Sequence, residues 1–408
     1  MSYPRNLTRV LLYSHDTYGL GHLRRNLAIA RRLLDSSGGI RVVLASGSPV
    51  LDRVARPPGL VCVQLPPVVK TGVDEYRSSE RNLSLSLVSR ARSAVLSDVV
   101  ARWQPDALLV DHAPQGMKAE LLPVFDTLRL HSPETKVILG LRDILDDPAR
   151  VKAAWKAEGI YEILESVYDG VVVYGDRDVF DLALAYDIPE PVASCIEYCG
   201  YVTANRPPAP VRPAELTGDG RYLLGTVGGG GDGVEVLVAT AHDAAARGLQ
   251  SVLCTGPLMP AADRQILAEA TAGLSGTAVV EHVADLAAVA LGADCVVTRG
   301  GYNSLCELIN LGIPIVVVPR VWPRREQLLR ARAFAARGLV HVIEAAPETL
   351  IPAVAERVRE AIGTPGGVRD ELDCNGAQQV VHFLKRTVSG ERLIHLGPGR
   401  EVPSRISA

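Results

Sequence analysis

Short apolar runs rich in valine, leucine and isoleucine, each followed by a stretch of helical spacing, recur along this 408-residue chain. That alternation is the strongest constraint on its fold. A strand that is apolar throughout must be covered on both faces, and strands joined through helices pair in parallel. In the first half the runs fall at 10–14, 41–45 and 60–63, then in "DALLVDH", "KVILGL" and "GVVVY". Helices are expected at 21–34 and along 79–103. In the second half the runs are "RYLLGTV", "SVLCTG", "TAVVEHV", "DCVVTR", "IPIVVVP" and "LVHVI". Between the two series, "TANRPPAPVRPAELTGDG" carries four prolines and no apolar periodicity, so it reads as a linker.

The expected architecture is α/β, with two Rossmann-like, doubly wound domains. The first covers 1–202, the linker 203–219 and the second 220–386. A last helix at about 375–385 is placed to fold back onto the first domain, and 387–408 read as a tail. Ligands of such sheets bind at the carboxyl ends of the strands, so two facing domains imply a cleft between them. Residues are 47% hydrophobic but only 5% aromatic, which suits cores of Val, Leu, Ile and Ala. A net charge of -3 offers no bulk attraction for nucleic acid. Seven cysteines, an odd number without a C-x-x-C pair, suggest reduced thiols rather than disulfides or zinc. No signal peptide and no 18-residue apolar run is present, which points to a cytoplasmic location and leaves peripheral membrane contact open.

Two glycine-rich junctions carry the chemistry of the second half. In "TVGGGGDGVEVL", 226–237, a strand runs into four glycines and Asp232 before a helix. Glycines there permit either a tight turn or close backbone approach to a phosphate. The missing lysine excludes a P-loop, and no acidic residue ends the next strand as a dinucleotide site would require. In "TRGGYNSLCELINLGIPIVVVP", 298–319, Gly300 and Gly301 again precede a helix. Asn303 and Ser304 can cap it, and its free amides suit a diphosphate. Glu307 follows about one turn later on the same side. An anion would avoid that carboxylate, whereas a ribose diol could donate two hydrogen bonds to it.

The first half offers "YSHDTYGLGHLRRNLAIARRLL", 13–34. His22 opens a helix after a glycine-containing loop, where it can act as a general base, contact a phosphate or cap the helix. His15 and Asp16 stand beside that loop and could share that work; Arg24 and Arg25 could meet an anionic acceptor but read rather as solvated helix charges. Asp111 with His112, and Arg142 with Asp143, end strands where function collects. Asp146 and Asp147 before Pro148 read as helix capping rather than a metal site, and no metal is expected.

The stretch 279–343, with its "ADCVVTRGG" strand, buried-looking Glu307, "LGIPIVVVP" strand and "RREQ" segment, resembles the nucleotide-sugar half of GT-B glycosyltransferases. Within them it is most similar to the MurG-type (family 28) N-acetylglucosaminyltransferases. The likeness extends over 220–362 and is weaker over 9–200. It implies transfer of a sugar from a nucleotide-diphosphate sugar, a UDP-sugar by preference, to an acceptor hydroxyl, with inversion and without metal or other cofactor. By that resemblance Glu307 binds the ribose, and Gly300, Gly301, Tyr302, Asn303 and Ser304 line the diphosphate with Gly229 and Gly230. His282 and Val283 border the base, while Glu326 and Gln327 meet sugar hydroxyls. The family commonly has Asp-x-Gln-Gln where this chain has "RREQ". Gly19, Gly21 and His22 correspond to a G-x-G-G-H loop facing the donor, and His22 or Asp111 is the expected base. His15, Asp16, His112 and Arg142 fall on the acceptor side. The acceptor itself is not indicated; a lipid-linked one would want an apolar and basic patch, which "LVSRARSAVL", 87–96, could supply. The alternatives are a nucleotide-sugar 2-epimerase of the same fold, which would carry "SGG-x-Q-E-E" where this chain has "RGGYNSLCE", or a non-catalytic nucleotide-sugar binder.

Overall fold

A computed structural model describes residues 5–15, 21–36, 38–72, 75–79, 83–204, 206–363 and 372–391. Two all-parallel sheets form its frame. The first has seven strands in the order Val61–Gln64, Arg41–Ser46, Arg9–Ser14, Ala107–Asp111, Lys136–Arg142, Gly170–Tyr174 and Ile196–Tyr198. The second has six, in the order Thr277–Val280, Gln250–Cys254, Tyr222–Thr226, Cys295–Thr298, Ile315–Val317 and His341–Val342. All six second-half runs become strands; the four inner ones are buried on both faces by flanking helices, while the edge strands Thr277–Val280 and His341–Val342 stay partly exposed. In each sheet the first strand sits centrally and the order reverses beside it, which creates a switch point for ligands. Register across the two reversals pairs Tyr13 with Val110 and Thr226 with Thr298.

One feature differs from the sequence expectation, while the fold-back of the last helix onto the first domain agrees with it. The stretch expected to be helical from 79 forms its helix only over Leu85–Trp103, capped by Ser84. Before it lies an antiparallel hairpin, Val68–Gly72 with Glu75–Ser78. The helix Gly376–Ser389 packs on the first sheet, not the second: Phe383 is fully buried against Gly170, and Arg386 bonds Glu197. Thus the first domain takes its last helix from beyond the second. Asp16, Gly19 and residues 392–408 lie outside the described residues.

A buried seam joins the domains. The Arg330 guanidinium bonds both Asp143 carboxylate oxygens at 2.7–3.2 Å and the Ile144 carbonyl at 3.2 Å. Both partners are at most 1% exposed. Tyr302, also buried, donates its hydroxyl to the Tyr174 carbonyl at 2.9 Å. Asp146 accepts the Arg325 backbone N–H at 2.8 Å.

Candidate active site

The helix Gly21–Asp35 starts at the carboxyl end of the first central strand and carries His22 on its first turn. Asp111 ends the neighbouring strand across the switch point. His22 Nδ1 lies 2.6 Å from Asp111 Oδ2, while Arg25 Nη2 and Nε bond Asp111 Oδ1 at 2.7 and 3.1 Å. Burial alone would raise the Asp111 carboxyl, but Arg25 and His22 hold it well below the usual carboxylate range. An ionised carboxylate at that distance requires Nδ1 to carry the proton. Nε2 is then the basic nitrogen, and His22 remains partly exposed. Asp111 is wholly buried with both oxygens bonded, so it cannot meet an acceptor. Of the two expected bases, only His22 keeps a partly exposed nitrogen, and Asp111 is placed to orient its ring.

His15 and His112 surround this dyad. The His22 and His112 ring centroids are 5.2 Å apart, and each lies 5.9 Å from the His15 ring centroid. His112 holds a positive φ of 71°, a strained conformation for a side-chain-bearing residue. Burial, then Arg142 and His22, push its imidazole well below the ordinary value, so it is neutral.

Across the cleft, Gly228 and Gly229 follow the strand Tyr222–Thr226. Gly230 does not face a ligand. Its φ is 84°, and a Cβ there would sit 2.0 Å from the Thr255 carbonyl. It therefore locks the glycine loop onto the neighbouring turn, as Gly256 does from the other side. Gly301 caps the helix Tyr302–Ile309 and has open space beside it. Tyr302 does not line the turn with its side chain, which belongs to the seam. The Gln327 amide oxygen accepts the Gly300 and Arg320 backbone N–H groups at 3.1 and 3.2 Å, so it holds the turn rather than offering that oxygen to a sugar. Glu326 accepts Arg320 at 2.8 Å. Arg299 and Arg320 both reach Asp232.

Two adjoining cavities occupy the cleft. One of about 490 Å³ is lined by Gly21, Ser48, Val68, Gly228, Gly229, His282 and Ser304, with Pro257 and Leu258. The other, about 1080 Å³, contains Glu307, Asp285 and Asn310. Arg24, Val283, Leu286 and Asn303 line both, so Arg24 is a cavity residue and not merely a solvated helix charge. Burial raises the Glu307 carboxyl above its ordinary value, with Arg24 opposing. The domains meet closely here: a Cβ on Gly21 would come within 2.6 Å of the Asn303 amide nitrogen.

Some participants gave no signal in the sequence. Arg330 sits in a helix of ordinary amphipathic spacing, and nothing local marks it as buried. Asp143, expected to serve function at its strand end, is spent on Arg330. The hairpin that brings Val68 into the cleft reads as polar-apolar mixture. The stretch 87–96 supplies no continuous patch: Arg92 is buried on Glu120, and Val88, Ser93 and Leu96 are buried too. Among the described residues no cluster of metal-ligating side chains occurs, and no helix is long and apolar enough to cross a membrane.

Comparison with known proteins places this geometry. Residues 226–362 match the glycosyltransferase family 28 C-terminal domain. A UDP-N-acetylglucosamine--N-acetylmuramyl-(pentapeptide) pyrophosphoryl-undecaprenol N-acetylglucosamine transferase of Shouchella clausii is 41% identical over 54 residues, which are 13% of this chain and 15% of that protein. The aligned stretch thus spans under one sixth of that relative. Acinetobacter baumannii MurG superposes with a TM-score of 0.55 and 17% identity over 93% of this chain and 99% of that one. A putative UDP-N-acetylglucosamine 2-epimerase from Listeria monocytogenes gives 0.63 and 13% over 94% and 97%. The two facing Rossmann-like domains make this a GT-B protein. Within its second domain, residues 226–362 are similar to the glycosyltransferase family 28 C-terminal domain.

Proposed function

We propose that this chain transfers a sugar from a nucleotide-diphosphate sugar, a UDP-sugar by preference, to an acceptor hydroxyl. One observation carries the reading: a histidine with Nδ1 anchored on a buried, ionised Asp111 stands one residue from Gly21, which touches Asn303 of the facing glycine turn. A base and an anion-binding helix start are thereby brought to one place. In the proposed complex the nucleoside lies in the larger cavity with its ribose hydroxyls donating to Glu307. The diphosphate extends past Asn303 toward Ser304, Gly228 and Gly229. The acceptor O–H gives its proton to His22 Nε2 as its oxygen bonds the anomeric carbon. The bond from that carbon to the diphosphate breaks, and the electron pair leaves with the phosphate oxygen. Backbone amides and the helix Tyr302–Ile309 dipole stabilise the departing charge in place of a metal.

The test is thermal unfolding with UDP, TDP, GDP, ADP and NAD, followed by release of nucleotide diphosphate from the matching sugar donor. A ligand that binds only the folded chain raises Tm. A shift with one nucleotide diphosphate, reduced in Glu307→Gln, together with donor turnover, is expected. A shift with NAD alone would overturn the reading.

A further inference from the structure

At the carboxyl end of the strand Lys136–Arg142, beside the dyad, stands a cation without an anion. The carboxylates around it hold other cations: Asp111 holds His22 and Arg25, Asp143 holds Arg330, and Glu326 holds Arg320 through Oε1, with its buried Oε2 unpartnered. Arg142 Nε is buried without a hydrogen-bond partner, and no ion pair holds its guanidinium among the described residues. His112 Nδ1 is buried and unpartnered as well. Burial of a guanidinium without a counter-charge is costly, and so is the positive φ of His112. Burial, with Arg25 and Arg330 nearby, pulls the Arg142 group down to about 10 against the opposing pull of Glu326 and Asp143. Arg92, by contrast, is fully buried and sits on Glu120 with two bonds of 2.5 and 2.8 Å.

We propose that Arg142 and His112 form an anion subsite that takes a phosphoryl group next to His22. A guanidinium offers paired N–H donors that fit two phosphate oxygens, and a neutral imidazole adds one more donor. The strain at His112 sets its ring at the carboxyl edge of the sheet, where ligands of this fold bind. Such a group has two sources: the diphosphate of the donor, or a phosphate carried by the acceptor close to its reacting hydroxyl. The inference rests on the proposed transferase reading for the identity of these sources, while the subsite itself rests on the unspent charge.

The experiment is calorimetric titration of the full chain, wild type and Arg142→Gln, with uridine, UDP, and inorganic phosphate alone and in the presence of saturating UDP. Arg142→Lys serves as the conservative control, and far-UV circular dichroism checks folding. Loss of a charge-assisted phosphate contact should weaken the affected ligand by about tenfold or more, with Lys recovering part of it. If Arg142→Gln weakens UDP but not uridine, the donor diphosphate occupies the subsite. If UDP is unaffected but phosphate binding on top of UDP is lost, the subsite serves the acceptor. Phosphate binding that depends on Arg142 in a chain that binds no nucleotide would support the subsite and defeat the transferase reading. UDP and phosphate affinities unchanged in Arg142→Gln, or no phosphate binding to wild type in either condition, would overturn the subsite.

Discussion

Glu307→Gln separates binding from stability because the two effects have opposite sign. The carboxylate lines the larger cavity and is desolvated by its surroundings. Proposed ribose contacts would give it two hydroxyl hydrogen bonds, and hydrogen bonds to charged groups contribute about 1.5–3 kcal/mol each. Glutamine keeps one acceptor oxygen, so one such bond is lost, which weakens UDP by roughly 10- to 150-fold. Without ligand the substitution works the other way. A carboxyl whose folded pKa lies above its unfolded value binds its proton more tightly when folded, so its ionisation opposes folding. Wild-type stability should therefore rise as pH falls through the raised folded pKa toward 4.5, and that contribution should vanish in Glu307→Gln. The measurements are calorimetric titration with UDP near pH 7.5 and ligand-free thermal unfolding from pH 5 to 8. An unchanged UDP affinity would refute the ribose assignment. A ligand-free Tm that drops in the variant would refute the claim that the carboxylate is held against its solvation preference.

His22→Asn should lower donor turnover by about 10²- to 10⁴-fold while leaving UDP affinity within a factor of three, since general-base catalysis contributes that range; an equal loss in both would place His22 in binding. Asp143→Asn leaves buried Arg330 short of a counter-charge and should cost about 3–5 kcal/mol in denaturant unfolding. Adding Arg330→Met should recover much of it, and a double variant no better than Asp143→Asn would show that the pair is not the seam's main contact. Gly230→Ala forces a Cβ into the Thr255 carbonyl at a positive φ, so a loss of about 1–3 kcal/mol is expected; a change below about 0.5 kcal/mol would contradict the packing of the two loops.

Much of the frame was legible because buried parallel strands write their position as continuous apolar runs. "DCVVTR" and "IPIVVVP" could hardly be placed elsewhere than in a covered sheet, and both are. Glycines at strand-to-helix junctions also marked the cleft. What they did not reveal is which glycine faces a ligand: Gly229 lines a cavity while Gly230, next to it, is locked on Thr255, and only three-dimensional packing separates them. Charges were the weakest signal. Arg25, Arg92 and Arg330 all look like helix-surface residues, yet each is buried on a carboxylate 28 to 187 positions away in the chain. Such pairing depends on topology, and no local periodicity records it. Tyr302 misled for the same reason: its place beside the glycine turn is right, but its ring is drawn into the contact between domains.

The crossing of the helix Gly376–Ser389 back to the first sheet has a consequence for synthesis on the ribosome. Domains tend to fold as units, the earlier one first as the chain emerges. Here the first domain cannot close its core when its own two hundred residues are out, because Phe383 fills the space over Gly170 and Arg386 answers Glu197. The part of one sheet face over Lys136–Arg142 and Gly170–Tyr174 stays uncovered until the second domain has been made in full. The order of folding is thereby turned around: the glycine-rich second domain can be complete first, and the half bearing His22 is finished by the last helix to emerge.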